Sequence, residues 1–279
     1  GIATRNGILL ISNYHKLQNQ ASNCIKDDIG LATKSVTGIN IVAVNTSQTQ
    51  EIKDLADELT LGTTDKREQV KILYNWVSSN IRYVAIYLAN GGVVPHSAET
   101  ILKNRYGDCK DHNALLIALL SAKGIKASSA LINSGNAYAL PKYPVIGPFN
   151  HVITYIPAWN LYLDSTAEMA SFGSLPDDEL DKPTLLTALG KVGRTPKPTK
   201  ENNRSITKLT MQIAKDGEIK GKAHTQYFGS AEINARYRYE GADTTLSERM
   251  VSRQLAKFRQ TGEGNIDTSE VYDLNKPFT

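Results

Sequence analysis

Cysteine is scarce: Cys24 and Cys109 are the only two in the chain. One bridge could join them, but they cannot build a disulfide framework. Long apolar runs are missing as well. The longest, Ala114 to Leu120, has seven residues, well short of the ~18 that suggest a membrane span. Neither sign of charge dominates, with 32 Lys+Arg against 28 Asp+Glu and a net +4. Basic residues form no dense block and do not interleave with aromatics, so no nucleic-acid partner is expected. No Gly-Lys-Ser/Thr follows Gly91-Gly92, which excludes a phosphate loop there. What the chain does have is apolar content, 41% of 279 residues. That is too much for a disordered chain and enough for one large core or two modest ones. Position 1 is Gly, and Val271-Tyr272-Asp273-Leu274 read as the start of a further strand. The chain is therefore expected to be part of a longer multidomain protein.

Residues 1–48 form an N-terminal segment, expected to be β, with short β-branched runs at Ile8 to Ile11 and Ile39 to Val44. A loop is expected from Asn45 to Gln50. Helical spacing begins at Glu51 to Leu59, with Ile52, Leu55 and Leu59 on one side and Gly62 as a stop. Asp65 and Glu68 form a capping-box pattern ahead of a stripe of Val70, Leu73, Val77 and Ile81, widened by Trp76. Ser97 caps a short helix from Ala98 to Asn104. A helix from Cys109 to Lys123, apolar nearly all round and capped by Gly124, should be the buried centre of a domain. Ile125 to Ile132 reads as a strand. His151 to Ile156 and Leu161 to Asp164 flank Pro157-Ala158-Trp159-Asn160 as a hairpin. Helix, strand and hairpin in this order make an α+β pattern. Pro196 and Pro198, in an apolar-poor stretch, mark a boundary, giving a domain over 49–195 and a β-rich region over 196–279. That last region should hold a hairpin turning at Asp216-Gly217 and one amphipathic helix, Thr245 to Arg259.

The chemistry centres on Cys109. It opens a helix, where unpaired N–H groups and the positive helix end favour a thiolate and can receive a developing oxyanion. Taken alone, the plain alternative is an inert packed cysteine. His151 and Asp164 weigh against that. If the hairpin closes so that Ile156 faces Leu161, Asp164 falls opposite Ile153. Ile153 shares a face with His151 because strand side chains alternate, which makes Asp164 a diagonal neighbour of His151. A one-residue slip would put the carboxylate on the other face. Cysteine, histidine and aspartate in this arrangement are nucleophile, base and orienter. Tyr83, Asp108 and His112 are further site-lining or oxyanion candidates. Packing explains Tyr83 and His112 equally well, and helix-end charge explains Asp108. Cys109, His112 and His151 could in principle hold zinc, but a structural zinc site wants four ligands, often more cysteines than this chain has. No metal and no cofactor is expected.

Tyr106-Gly107-Asp108-Cys109-Lys110-Asp111, the apolar helix ending at Gly124, Phe149-Asn150-His151-Val152 and Leu163-Asp164-Ser165-Thr166 occur in that order. With Trp76-Val77, Ile81-Arg82-Tyr83-Val84 and Pro95-His96-Ser97-Ala98, this series resembles the transglutaminase-like superfamily over about residues 50–190. It is closest to the bacterial branch found in larger exported proteins. The resemblance implies a papain-like α+β core, with the nucleophile cysteine on a central helix packed on an antiparallel sheet, followed by a smaller β-rich region. It implies Cys109, His151 and Asp164 as a catalytic triad acting on amide bonds through a thioester. Hydrolysis of a peptide or isopeptide bond in a protein or peptide substrate is the expected outcome. Glutamine transamidation and a non-catalytic binding module in a cell-envelope assembly are the alternatives. A periplasmic or cell-envelope location is implied by the resemblance alone.

Overall fold

The computed structural model describes residues 49–85, 94–140 and 148–279. The strand expectations at Ile8 to Ile11 and Ile39 to Val44, and Cys24, lie outside these residues. Within them the chain divides into two compact units. One comprises the described residues up to Glu168 with Phe172–Lys197, and the other Met169–Ser171 with Pro198–Thr279.

The first unit opens with α1 (Gln50–Leu59) and α2 (Lys66–Asn80). Asp65 caps α2 by accepting the Glu68 N–H at 2.8 Å, and Val70, Leu73 and Val77 form its buried stripe. A short strand β1 (Arg82–Tyr83), the Ser97-capped helix α3 (Ala98–Asn104) and β2 (Tyr106–Gly107) follow, with β1 and β2 paired in parallel. Then comes α4 (Cys109–Ala122), whose residues from Asp111 to Leu120 are all buried. It packs against α1, α2, α3 and the sheet. A helix apolar on every side has to be surrounded, and α4 is the axis of the unit.

The sheet is five-stranded and antiparallel, in the order β5-β4-β3-β6-β7. Its strands are β3 (Ser128–Ile132), β4 (His151–Ile156), β5 (Leu161–Leu163), β6 (Pro183–Leu186) and β7 (Lys191–Arg194). β3 starts later than Ile125, where the sequence pattern puts it. Gly124 sits at φ +70° and the Ile125 N–H bonds to the Leu120 carbonyl at 2.9 Å, so this stretch caps α4 before any strand pairing begins. Period-two alternation divides β4 between two clusters. Ile156 joins the α4 core with Leu115, Leu119 and Leu163, while Ile153 and Tyr155 pack with Tyr162, Leu175 and Leu186.

The second unit contains the hairpin β8 (Arg204–Ile213) and β9 (Ile219–Phe228), turning through Gly217 at φ +88°. Two helices follow, α5 (Ser230–Tyr239) and α6 (Thr244–Lys257), against the single helix expected. The sequence of α5, with Arg and Tyr where an apolar stripe would be, hides its inward side. That side is built on Arg236, which is wholly buried and bonded to Glu232 at 2.7 Å. The strand expected at Val271 to Leu274 is instead a series of turns. Its carbonyls are drawn onto the Arg236 guanidinium, with Val271 O at 2.6 Å, so they are not free to form a ladder.

Candidate active site

Asp108 is the N-cap of α4. Its Oδ1 accepts the Lys110 N–H at 3.2 Å and the Asp111 N–H at 3.4 Å, and the Asp111 carboxylate returns a bond to the Asp108 N–H at 3.3 Å. This reciprocal box is a strong helix start. It leaves the N–H of Cys109, the first residue of the helix, outside the cap. Lys110 Nζ pairs with Asp108 as well. Asp108 is therefore occupied in holding the helix end. Gly107 is required here: a Cβ on it would stand 2.4 Å from the Asp111 Cβ. Asp111 also accepts the His96 N–H at 2.8 Å, fastening the segment before α3 over the same helix end.

The hairpin has the register that the sequence implies, with Ile156 opposite Leu161 and Thr154 opposite Leu163. Asn160, in the left-handed region at φ 47°, completes its turn. Asp164, one residue past β5, brings Oδ2 to 3.1 Å from His151 Nε2. The carboxylate is fixed on its other side by Thr166, through its N–H at 2.9 Å and its hydroxyl at 2.8 Å. Tyr74 of α2 donates to the Asp164 carbonyl at 3.1 Å, and His112 Nδ1 lies 3.0 Å from the Ser165 carbonyl. Between α4 and the sheet, Asn113 donates to Thr154 at 2.8 Å and accepts from Ser129 at 2.5 Å. These buried bonds set the helix on the strands, so that the Cys109 thiol comes near enough to the His151 ring to help raise its pKa.

The electrostatics follow from enclosure. Burial by itself pushes His151 down. The Asp164 charge, the hydrogen bonds that His151 gives to Asp164 and Glu179, and the neighbouring Cys109 outweigh it, and the imidazole is held well above its ordinary value. Burial likewise pushes Asp164 up, and the His151 charge and its hydrogen bond more than reverse that, leaving the carboxyl well below its usual range. At neutral pH the two form an imidazolium–carboxylate pair. His151 Nε2 is the ring nitrogen that faces the carboxylates of Asp164 and Glu179.

His112 behaves differently. Burial outweighs the Ser165 carbonyl and the neighbouring carboxylates and lowers it, so it stays neutral. Its Nε2 is buried without a hydrogen-bond partner. Its ring packs 6.1 Å from that of Tyr83, which is half-exposed on β1. Cys109, His151 and Asp164 are thus brought together. Asp108 is the helix cap, and His112 and Tyr83 pack beside the site.

One residue of the cluster is absent from the sequence reading. Glu179, 3% exposed, places Oε1 at 3.4 Å from His151 Nε2. It ends a tight turn, Asp177–Glu179, in an acidic run that reads as solvated, and no spacing rule links it to His151. Among the described residues, His151, Asp164 and Glu179 are the grouping of potential metal ligands, with ligand atoms within 4.8 Å of one another. It does not include Cys109 or His112, so the zinc set weighed from the sequence is not assembled. Cys109 is a free thiol.

A cysteine on the first turn of a buried helix, and a histidine held by a carboxylate on an antiparallel sheet, belong to an α+β fold. Residues 53–132 match the family model of the transglutaminase-like superfamily. The match includes Cys109 and the whole of α4 and ends before His151 and Asp164. No curated protein matches the chain. Among solved structures it is similar to one described as a "putative protease" from Parabacteroides distasonis, at 14% identity over 64% of this chain and 37% of that one, with a TM-score of 0.42. It is also similar to a "putative cysteine protease" from Cytophaga hutchinsonii, at 21% identity over 42% of this chain and 37% of that one, with a TM-score of 0.31. The chain spans 37% of the length of each.

Proposed function

We propose that this chain carries a thiol enzyme acting on amide bonds, with Cys109 as nucleophile, His151 as acid and base, and Asp164 as orienter. The observation that carries the reading is the continuous arrangement of the Cys109 thiol, the His151 ring and the Asp164 carboxylate. The thiolate adds to the amide carbonyl, forming a C–S bond, and the oxygen takes up the negative charge. The Cys109 N–H, left free by the Asp108 cap, is placed to receive it. Collapse breaks the C–N bond as His151 gives its proton to the departing amine, leaving a thioester. Water then attacks, gives a proton to His151, and the C–S bond breaks to return the thiolate and a carboxylic acid. A peptide or isopeptide in a protein or peptide substrate fits this chemistry.

The test is a panel of peptide and isopeptide amides, followed by mass spectrometry for a free acid and a new amine, with wild type and Cys109→Ala. Cleavage lost in Cys109→Ala, with an unchanged melting curve, is expected. Rapid capture of an added amine in place of water would replace hydrolysis with transamidation. A Cys109 that alkylates no faster than an ordinary thiol would overturn the enzyme reading in favour of a binding module.

A further inference from the structure

Two of the buried ionisable groups that this chemistry leaves unused already have roles. Lys182 Nζ is taken by the Gly135 carbonyl and the Tyr138 ring. His112 is neutral and packed. Glu179 differs, because it lies against the working histidine.

Its backbone is pinned. The carbonyl accepts the Thr195 hydroxyl at 2.6 Å, and the N–H bonds to the Pro176 carbonyl at 3.1 Å. Its Oε1 is 3.4 Å from the same His151 Nε2 that Asp164 Oδ2 approaches at 3.1 Å. One Nε2–H cannot be given in full to two carboxylates. The donors settle which carboxyl is ionised. Asp164 has the Thr166 N–H and hydroxyl besides Nε2. The Oε2 of Glu179 is buried without any hydrogen-bond partner. A buried carboxylate with one oxygen unpartnered and the other only sharing a donor, within 4.8 Å of a second negative charge, is strongly disfavoured.

We propose that Glu179 is a positioning residue of the His151 site: it keeps its proton while Asp164 is ionised, and so buttresses Nε2 without adding a second negative charge. This deepens the reading of His151 as acid and base for Cys109 and rests on it. The reason is chemical. His151 has to release its proton to the departing amine, and two carboxylate charges would hold that proton too firmly. Ionisation of Glu179 then marks an alkaline limit of the site. Burial, the Asp164 charge and a hydrogen bond to Asp164 push Glu179 up, and together they outweigh the hydrogen bond to His151 and the His151 charge. The groups that face it are Asp164 and His151. Its neighbour Asp178 is turned to the Ser134 hydroxyl at 2.8 Å, Asp181 to Arg194 at 2.8 Å, and Lys182 to the Gly135 carbonyl.

The experiment is carbon-detected NMR on the full chain, with the Glu179 carboxyl assigned by through-bond correlation to its own backbone, so that it depends on no variant folding. At pH 7 the carboxyl is expected at the shift of a neutral acid; a carboxylate shift overturns the proposal. The His151 ring nitrogens should titrate in two steps, the upper coinciding with loss of the Glu179 proton, and Glu179→Gln should lose the upper step. Superimposable His151 curves in the two proteins overturn it too. Cys109 alkylation, run alongside, separates this from the functional reading. Ordinary thiol reactivity beside a neutral, His151-coupled Glu179 sinks the enzyme and leaves the carboxyl arrangement. Rapid alkylation beside an ionised Glu179 does the reverse.

Discussion

Asp164→Asn removes one charge and changes one atom. In the wild-type site, the Asp164 Oδ1 accepts the Thr166 N–H at 2.9 Å, and Oδ2 accepts Nε2–H at 3.1 Å. An asparagine can keep only one of these in the same pose. If its oxygen stays with Thr166, its NH₂ meets Nε2–H, donor against donor. The ring is then driven to the other tautomer, with the proton on Nδ1. If the amide flips, Thr166 loses its acceptor. Either way the imidazolium loses its counter-charge. Two unit charges about 4 Å apart at an effective dielectric near 20 interact by about 4 kcal/mol, about three decades at 1.36 kcal/mol each. Turnover should therefore fall ~10²–10⁴-fold. Stability should fall by no more than about 1–2 kcal/mol, because the His151 left behind can give up its proton and does not remain as a buried unpaired charge. The assay is iodoacetamide alkylation of Cys109 across pH, followed by peptide mapping so that Cys24 is scored separately. Wild type should alkylate rapidly well below the ~8.5 of a free thiol, and Asp164→Asn more slowly at neutral pH. Equal rates at every pH would mean that Asp164 is not coupled to the nucleophile, and the reasoning fails.

Three other perturbations test the surroundings. Gly107→Ala sets a methyl 2.4 Å from the Asp111 Cβ and 2.9 Å from its Oδ2, so the capping box must shift. A loss of about 1–3 kcal/mol in urea unfolding is expected, with slower Cys109 alkylation. The His151–Asp164 pair gives stability a defined pH window. Asp164, depressed, contributes above the unfolded carboxyl value of about 3.9, and this is lost as pH falls through its folded value. His151, raised, contributes fully below about 6.5, and this is lost as pH rises through its folded value. The melting temperature of wild type relative to Asp164→Asn should therefore peak between roughly pH 4 and 6.5; a flat difference refutes the coupling. Arg236→Met takes from Glu232 its charge partner and from the carbonyls of Val271 and Lys276 their donor. A loss of about 3–5 kcal/mol and faster proteolysis over residues 269–279 are expected, and intact resistance would contradict the anchoring role.

Regular local patterns were legible. The stripes of α2 and α4, the Asp65 and Ser97 caps and the turn at Asp216-Gly217 each repeat a residue type at a spacing fixed by backbone geometry. The β4–β5 register was legible for the same reason, since period-two alternation and a two-ended turn leave one pairing with Asp164 and His151 on a common face. What misled was any segment whose partner lies far along the chain. Ile125 looks like strand but is used to close α4. Val271 to Leu274 look like strand but are held as turns by one arginine. The helix α5 carries no apolar stripe because its buried side is built around an ion pair.

The sequence by itself determined where a thiol meets a helix N-terminus and which histidine and aspartate share a strand face. Those relations depend on offsets within a few residues, and backbone periodicity fixes them. Only the tertiary structure decided that Asp108 is spent as a cap, that His112 is neutral and turned to Ser165, and that Glu179 joins His151 from a turn beyond the hairpin. Each of those outcomes depends on what a buried polar group finds within about 3 Å when water is withdrawn. That is set by packing between distant segments, and no local period records it.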